Sequence, residues 1–238
     1  MGKPFFQFKR FTIHQDRCAM KVGTDGVLLG AWANIRNADR ILDIGTGTGL
    51  IALMCAQRNP SAEIWAIEID KDSSIQAGEN FENSEFNEAL HVQHCSLQEF
   101  RTDMLFDSIV CNPPFFRAGT PSPSYGRYLA RQAESLPLKI LIESATKLLS
   151  EDGVLHLVLP IDREEELGLL CDNHGLHAQR KCVVYPAYGK SPKRLLVEFS
   201  KNSELPTVNE ELTIEKEERF DYTDDFIKLT REFYPKMK

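Results

Sequence analysis

The chain has 238 residues, 42% of them hydrophobic, and a formal net charge of -7. That is enough apolar sequence for the core of one full domain, but no run of about 18 apolar residues is present to cross a membrane as a helix. The first ten residues hold no continuous apolar stretch, and the six cysteines form no CxxC pair, so the expectation is a cytoplasmic protein with reduced thiols, without a secretory signal, zinc site or disulfide framework.

From Arg40 onward, strand-like and helix-like segments alternate. Arg40–Ile44 reads as a short strand ending in a glycine-rich turn, and Leu50–Arg58 as a helix. Glu63–Ile69 is a second apolar strand ending in acids, followed by a helix over Ser73–Asn83. Phe106–Cys111 is a further strand, stopped by Pro113 and Pro114. The loop Arg117–Arg131 is long for a simple connection and is expected to be functional. Pro137–Leu149 reads as an apolar helix ended near Gly153, Val154–Leu159 as a strand and Arg163–His174 as a helix. This order predicts an α/β fold: a mostly parallel sheet, helices on both faces and right-handed crossovers. Lys181–Tyr185 and Arg194–Ser200 break the alternation and are expected to form an antiparallel hairpin at one sheet edge. An acidic tail from Asn202 ends in a helix near 224–234. The organisation expected is one domain, with a core over 39–200 and extensions over 1–38 and 201–238.

The strongest chemical signal is Asp43-Ile44-Gly45-Thr46-Gly47-Thr48-Gly49, between a strand and a helix. Gly45, Gly47 and Gly49 permit a tight turn and let a ligand approach the backbone. Their G-x-G-x-G spacing departs from the G-x-G-x-x-G of dinucleotide binders and suits a compact ligand bearing an amino acid. About 20 residues on, Glu68, with Asp70 as second choice, ends the next strand where an acid would accept from ribose hydroxyls. Ser96 occupies the place of a third contact, where it could accept a hydrogen bond more weakly than a carboxylate.

Asn112-Pro113-Pro114-Phe115 carries the second signal. The double proline imposes a rigid extended turn, leaving the Asn112 side-chain oxygen and the Pro113 carbonyl as acceptors for an NH₂ group. Phe115 would stack on the ring that carries the amine. The six histidines show no metal-ligand constellation, and neither a Gly-x-Ser-x-Gly nor a Walker sequence is present.

The acidic total conceals basic segments: residues 1–40 carry a net +4, 113–150 a net +3 and 178–201 a net +5. Local patches decide where a phosphate backbone docks. Lys3, Lys9, Arg10, Arg127, Arg131, Lys190, Lys193 and Arg194 are the candidate phosphate contacts.

The glycine loop and the Asn112–Phe115 turn together resemble the class I N-methyltransferases. The leader from His14 to Trp32, with Arg194–Ser200, Tyr222-Thr223 and Phe233-Tyr234, closely resembles the bacterial tRNA1(Val) (adenine-37-N6)-methyltransferases, and the similarity spans nearly the whole chain. The resemblance implies a Rossmann-like, seven-stranded methyltransferase sheet with S-adenosylmethionine as donor. It implies a flipped adenine, A37 beside the anticodon of one valine tRNA, as the target. By position, Lys21, Thr24 and Asp25 would lie near the cofactor and the substrate mouth. Gly45, Gly47 and Gly49 would line the cofactor's amino-acid end, with Asp43 also among the cofactor-binding residues, Glu68 at the ribose and Ser96 at the cofactor's adenine. Asn112, Pro113 and Phe115 would hold the target base, with Asn112 also facing the cofactor. The family often shows Tyr where Phe115 stands. The expected partner is the anticodon stem-loop, with no metal and no membrane, and the expected state is a monomer or weak dimer. Guanine-N2 methylation of ribosomal RNA and methylation of a protein glutamine side chain also use such a turn and stay open.

Overall fold

The computed structural model describes residues 3–18, 20–114 and 136–237. In chain order it contains β1 (Phe5–Gln7), β2 (Thr12–His14), α1 (Thr24–Trp32), β3 (Arg40–Ile44), α2 (Leu50–Arg58), β4 (Glu63–Glu68), α3 (Lys71–Glu82), β5 (Leu90–His94) and β6 (Phe106–Cys111). These are followed by α4 (Leu138–Leu148), β7 (Leu149–Pro160), α5 (Glu164–Asp172), β8 (His177–Ala187), β9 (Arg194–Ser200), β10 (Val208–Glu215) and α6 (Asp224–Thr230).

Alternate side chains of the central strands feed two apolar layers, as a sheet covered on both faces requires. Ile41, Ile64, Ala66 and Val110 face the layer that holds α1, α2, α3 and α6. Leu42, Ile44, Ile67, Ile109 and Cys111 face the layer of α4 and α5. The sheet order is β10-β8-β9-β7-β6-β3-β4-β5. The run β5, β4, β3, β6, β7 is parallel, and β9 is antiparallel to both of its neighbours. Seven of these strands are the expected sheet. The eighth, β10, comes from the acidic tail and pairs parallel to β8, so the antiparallel pair lies inside the edge rather than at it. Because β8 and β10 run with β7, their carboxyl ends share one rim with those of β3 to β6.

The ends of the chain close over this frame. Phe8 stacks on Phe11 at 4.8 Å and on Tyr234 at 5.9 Å, and the Lys9 N–H donates to the Phe233 carbonyl. Asn80 of α3 accepts from the His14 N–H at 2.9 Å and donates to the carbonyls of His14 and Thr48. Gln15 accepts from the Val22 N–H at 2.7 Å. The leader is thereby pinned above the glycine loop.

Buried Glu198 ties the end of α1 to the sheet. It accepts from the Asn34 N–H at 3.0 Å and meets His156 at 3.2 Å and Arg180 at 3.1 Å. Burial opposes its ionisation, yet His156, Arg180 and the Asn34 N–H outweigh that cost and hold its carboxyl below the usual range.

Candidate active site

A cavity of about 430 Å³ opens at the carboxyl rim of β3, β4, β5 and β6, within the size range of small-ligand pockets. Its walls come from the glycine loop, the end of β4, the turn after β5, Asn112 and Pro114 after β6, leader residues 20–26, and Arg194. Lys21, Thr24, Gly45, Gly47, Glu68, Ser96 and Asn112 all line this one space, while Asp43 and Gly49 lie outside the lining.

The three loop glycines have φ values of +71°, +58° and +85°, a left-handed conformation that side chains disfavour. Their roles differ. A Cβ at Gly45 or Gly47 would meet nothing within 4 Å, whereas one at Gly49 would sit 2.4 Å from Cε1 of Phe81. Gly49 therefore serves the packing of α3 against the loop. Gly49→Ala is expected to destabilise the fold by about 2–5 kcal/mol, from backbone strain plus overpacking. Gly45→Ala should carry only the strain, about 1–2 kcal/mol. Denaturant titration of the two variants measures the difference.

Asp43 is fully buried. Its Oδ2 accepts from Thr46 Oγ1 at 2.6 Å and from the Ala52 N–H at 3.1 Å, while Oδ1 has no partner among the described residues. Burial pushes its pKa up to about 7, against the pull of the two donors. The unfolded carboxyl titrates near 3.9, so the folded chain binds the extra proton between about pH 4 and 7. The stability that this proton contributes is present below about pH 4 and is lost as pH rises towards 7. Asp43→Asn removes the titration. The stability difference between the native chain and this variant, followed by denaturant titration from pH 4 to 8, should shift in the variant's favour up to about pH 7 and then level off.

Glu68, 5% exposed, accepts from the Gly47 N–H at 2.9 Å and from the Asp70 N–H at 2.8 Å. Burial raises its pKa despite these donors. Asp70 instead caps α3, accepting from the Ser73 N–H at 2.9 Å. Of the two acids at the end of β4, only Glu68 lines the cavity. Ser96 donates its hydroxyl proton to Glu99 at 2.6 Å, and its oxygen lone pairs can still accept. Lys21 donates to the Gln15 carbonyl at 2.6 Å. Asn112 is half-buried where β6 ends, Pro113 is buried and is not among the lining residues, and Phe115 lies outside the described residues.

The basic residues scatter. Lys3, Lys190 and Lys193 are exposed. Lys9 donates to the carbonyls of Arg231 and Met237 at 2.6 and 2.9 Å, and Arg10 grips Glu85 with two bonds of 2.9 and 2.8 Å. Arg194 pairs with Asp25 at 2.7 Å on the cavity wall. Arg127, Arg131 and the loop Arg117–Arg131 lie outside the described residues. His91 packs against Trp65 with the rings tilted, and His94 meets the Ile69 carbonyl. Among the described residues no group of three His, Cys, Asp or Glu could hold a metal ion, and no helix is long and apolar enough to cross a membrane.

Sequence reasoning missed Met20, Thr46, Gln98 and Leu136, which also line the cavity. Only Thr46 carried a signal, as a spacer inside the glycine motif.

The family model described as "Methyltransferase small domain" matches residues 22–167. A curated protein from Parabacteroides distasonis, named tRNA1(Val) (adenine(37)-N6)-methyltransferase, is 44% identical over all of both chains. One of the same name from Trichodesmium erythraeum is 45% identical over 99% of this chain and all of its own. The crystal structure of protein Atu636 from Agrobacterium tumefaciens, titled a predicted O-methyltransferase, superposes with a TM-score of 0.68 at 20% identity, covering 88% of this chain and 96% of its own. A ribosomal protein L11 methylase from Lactobacillus delbrueckii gives 0.57 at 18% identity, over 79% and 83% of the two chains. These two structures share the Rossmann-like methyltransferase fold with this chain.

Proposed function

This chain belongs to the tRNA1(Val) (adenine(37)-N6)-methyltransferase family, and from that premise we propose that it transfers a methyl group from S-adenosylmethionine to N6 of adenine-37 in the anticodon loop of that tRNA. The observation that carries the reading is one cavity lined at once by Gly47, Glu68 and Asn112. A ligand site and an amine-holding turn thus open on the same space.

The cavity suits the cofactor chemically. Gly45 and Gly47 leave open room beside the backbone, Glu68 offers lone pairs for a ribose diol, and Ser96 offers an acceptor for an adenine amino group. Lys21 and Thr24 supply donors for a carboxylate, and Asp43 braces the loop through Thr46. When bound, S-adenosylmethionine supplies an electrophilic methyl group.

The remaining work falls to the turn after β6. An aryl amine is a poor nucleophile because its lone pair is delocalised into the ring. The Asn112 side-chain oxygen and the Pro113 carbonyl accept its two N–H groups and strengthen as the nitrogen gains positive charge, which favours the transition state over the ground state. Phe115 stacks on the extracted base and fixes its plane. The surplus proton leaves along the N–H held by Asn112 towards water. Lys3, Lys190 and Lys193, with Arg127 and Arg131, take the phosphates, and the enzyme acts in the cytoplasm.

Purified protein should be supplied with S-adenosylmethionine and, separately, unmodified tRNA1(Val), ribosomal RNA and a peptide release factor. Mass spectrometry should find N6-methyladenosine in the tRNA alone. Methylguanosine in the rRNA or methylglutamine in the factor would move the assignment to that substrate.

A further inference from the structure

The strand directions bring a second feature to the active-site rim. The turn Tyr188-Gly189-Lys190-Ser191-Pro192-Lys193 joins β8 to β9 and ends at Arg194, which lines the cavity. Its backbone is tied at both ends. The Tyr188 N–H donates to the Glu215 carbonyl at 3.1 Å, Lys190 to Ala187 at 3.2 Å and Lys193 to Val184 at 2.9 Å. On this fixed turn Tyr188 is 55% exposed. Lys190 and Lys193 beside it are also exposed, and the turn contains no acid.

A single exposed aromatic is ordinary on a protein surface. The neighbouring turn shows the difference. Phe220, between β10 and α6, is 65% exposed and held at φ +69°. Its turn sets Lys216 and Arg219 against Glu217, Glu218 and Asp221, with Lys216 already paired to Asp221 at 3.3 Å. An RNA backbone would be repelled there and drawn to the Tyr188 turn. Asn112 and the Tyr188 turn are separated by three strand spacings along the sheet, from β6 to β8, or about 14 Å. At about 3.4 Å per stacked nucleotide, that is the span of a few nucleotides of one strand.

We propose that Tyr188 is a stacking platform for an unpaired nucleobase of the substrate's RNA loop, a few nucleotides from the target, with Lys190 and Lys193 holding the adjoining phosphates. Single-stranded RNA is gripped in this way, by an aromatic face flanked by cations. The inference rests on the reading of the chain as an RNA-loop methyltransferase and adds where a second base is held.

The test is steady-state methylation of a tRNA1(Val) transcript by the full chain, with S-adenosylmethionine affinity measured by calorimetry alongside. Tyr188→Ala should raise KM for RNA about 5- to 150-fold, the loss of one base-stacking aromatic, with kcat and cofactor affinity kept. Tyr188→Trp should restore KM, and its added fluorescence should be quenched by RNA. Phe220→Ala should leave KM unchanged. Lys190→Gln with Lys193→Gln should lower the slope of log affinity on log salt by about 0.7 per cation. An unchanged KM in Tyr188→Ala, or an equal rise in Phe220→Ala, would overturn the platform while native methylation leaves the proposed function standing. A native chain that methylates no tRNA would overturn both.

Discussion

Asn112→Ala should lower the single-turnover rate of tRNA methylation about 10²–10³-fold, the cost of removing one preorganised transition-state hydrogen bond. Cofactor affinity should change far less, since the glycine loop, Glu68 and Ser96 surround the rest of the same cavity. The loss falls on the rate because the side-chain oxygen is worth most when the attacked nitrogen is becoming positive. Asn112→Asp keeps an acceptor at the same place and should retain more activity than the alanine variant. Packing alone would rank them differently: aspartate adds a charge at a half-buried position, so the alanine variant would be the better enzyme. Rapid-quench measurement of the three proteins on one tRNA decides the order.

Glu68→Ala should weaken S-adenosylmethionine binding about 10- to 100-fold, with the rate at saturating cofactor kept. Hydrogen bonds to a charged partner contribute about 1.5–3 kcal/mol, and each 1.4 kcal/mol is tenfold in affinity. Glu68 has a second duty in the free protein. Its two oxygens hold the N–H groups of Gly47 and Asp70 at 2.9 and 2.8 Å, so it sets the loop before any ligand arrives. Truncation removes the ligand acceptor and the loop brace together. Glu68→Gln retains one acceptor oxygen and should fall between the alanine variant and the native chain. Titration calorimetry on the three proteins reads this directly.

The parts legible in the sequence are those where local physics restricts the choice of residue. β3, α2, β6 and β9 lie where the apolar runs and breakers put them, and the glycine loop was readable because three left-handed positions exclude other residues. Helix α1 was not readable. Its residues from Gly26 to Trp32 are buried all round, so no amphipathic stripe marks it. Gly30, which would read as a helix breaker, is there because a Cβ would lie 2.7 Å from the Met54 sulfur. Strand β5, Leu90–His94, alternates too weakly to stand out, and β10 is masked by its acids, five of its eight residues being exposed or acidic along an outer edge.

The same division holds at the cavity. The glycines, Glu68 and Asn112 carried their own signals. The placement of residues 20–26 over the cavity depends on contacts such as Asn80 with His14, far apart in the chain, which no local pattern encodes. Counting charges located basic segments but could not reveal that Lys9, Arg10 and Arg194 already have partners within the protein. That explains why Lys3, Lys190 and Lys193, with Arg127 and Arg131, rather than the whole set, are the cations expected to meet RNA.

The most direct test is the nucleoside content of valine tRNA from a strain deleted for this protein, complemented with the native chain or with Asn112→Ala. The deletion should lack N6-methyladenosine at position 37, the native chain should restore it, and the variant should not. Full modification in the deletion strain, or full restoration by the variant, would contradict the account.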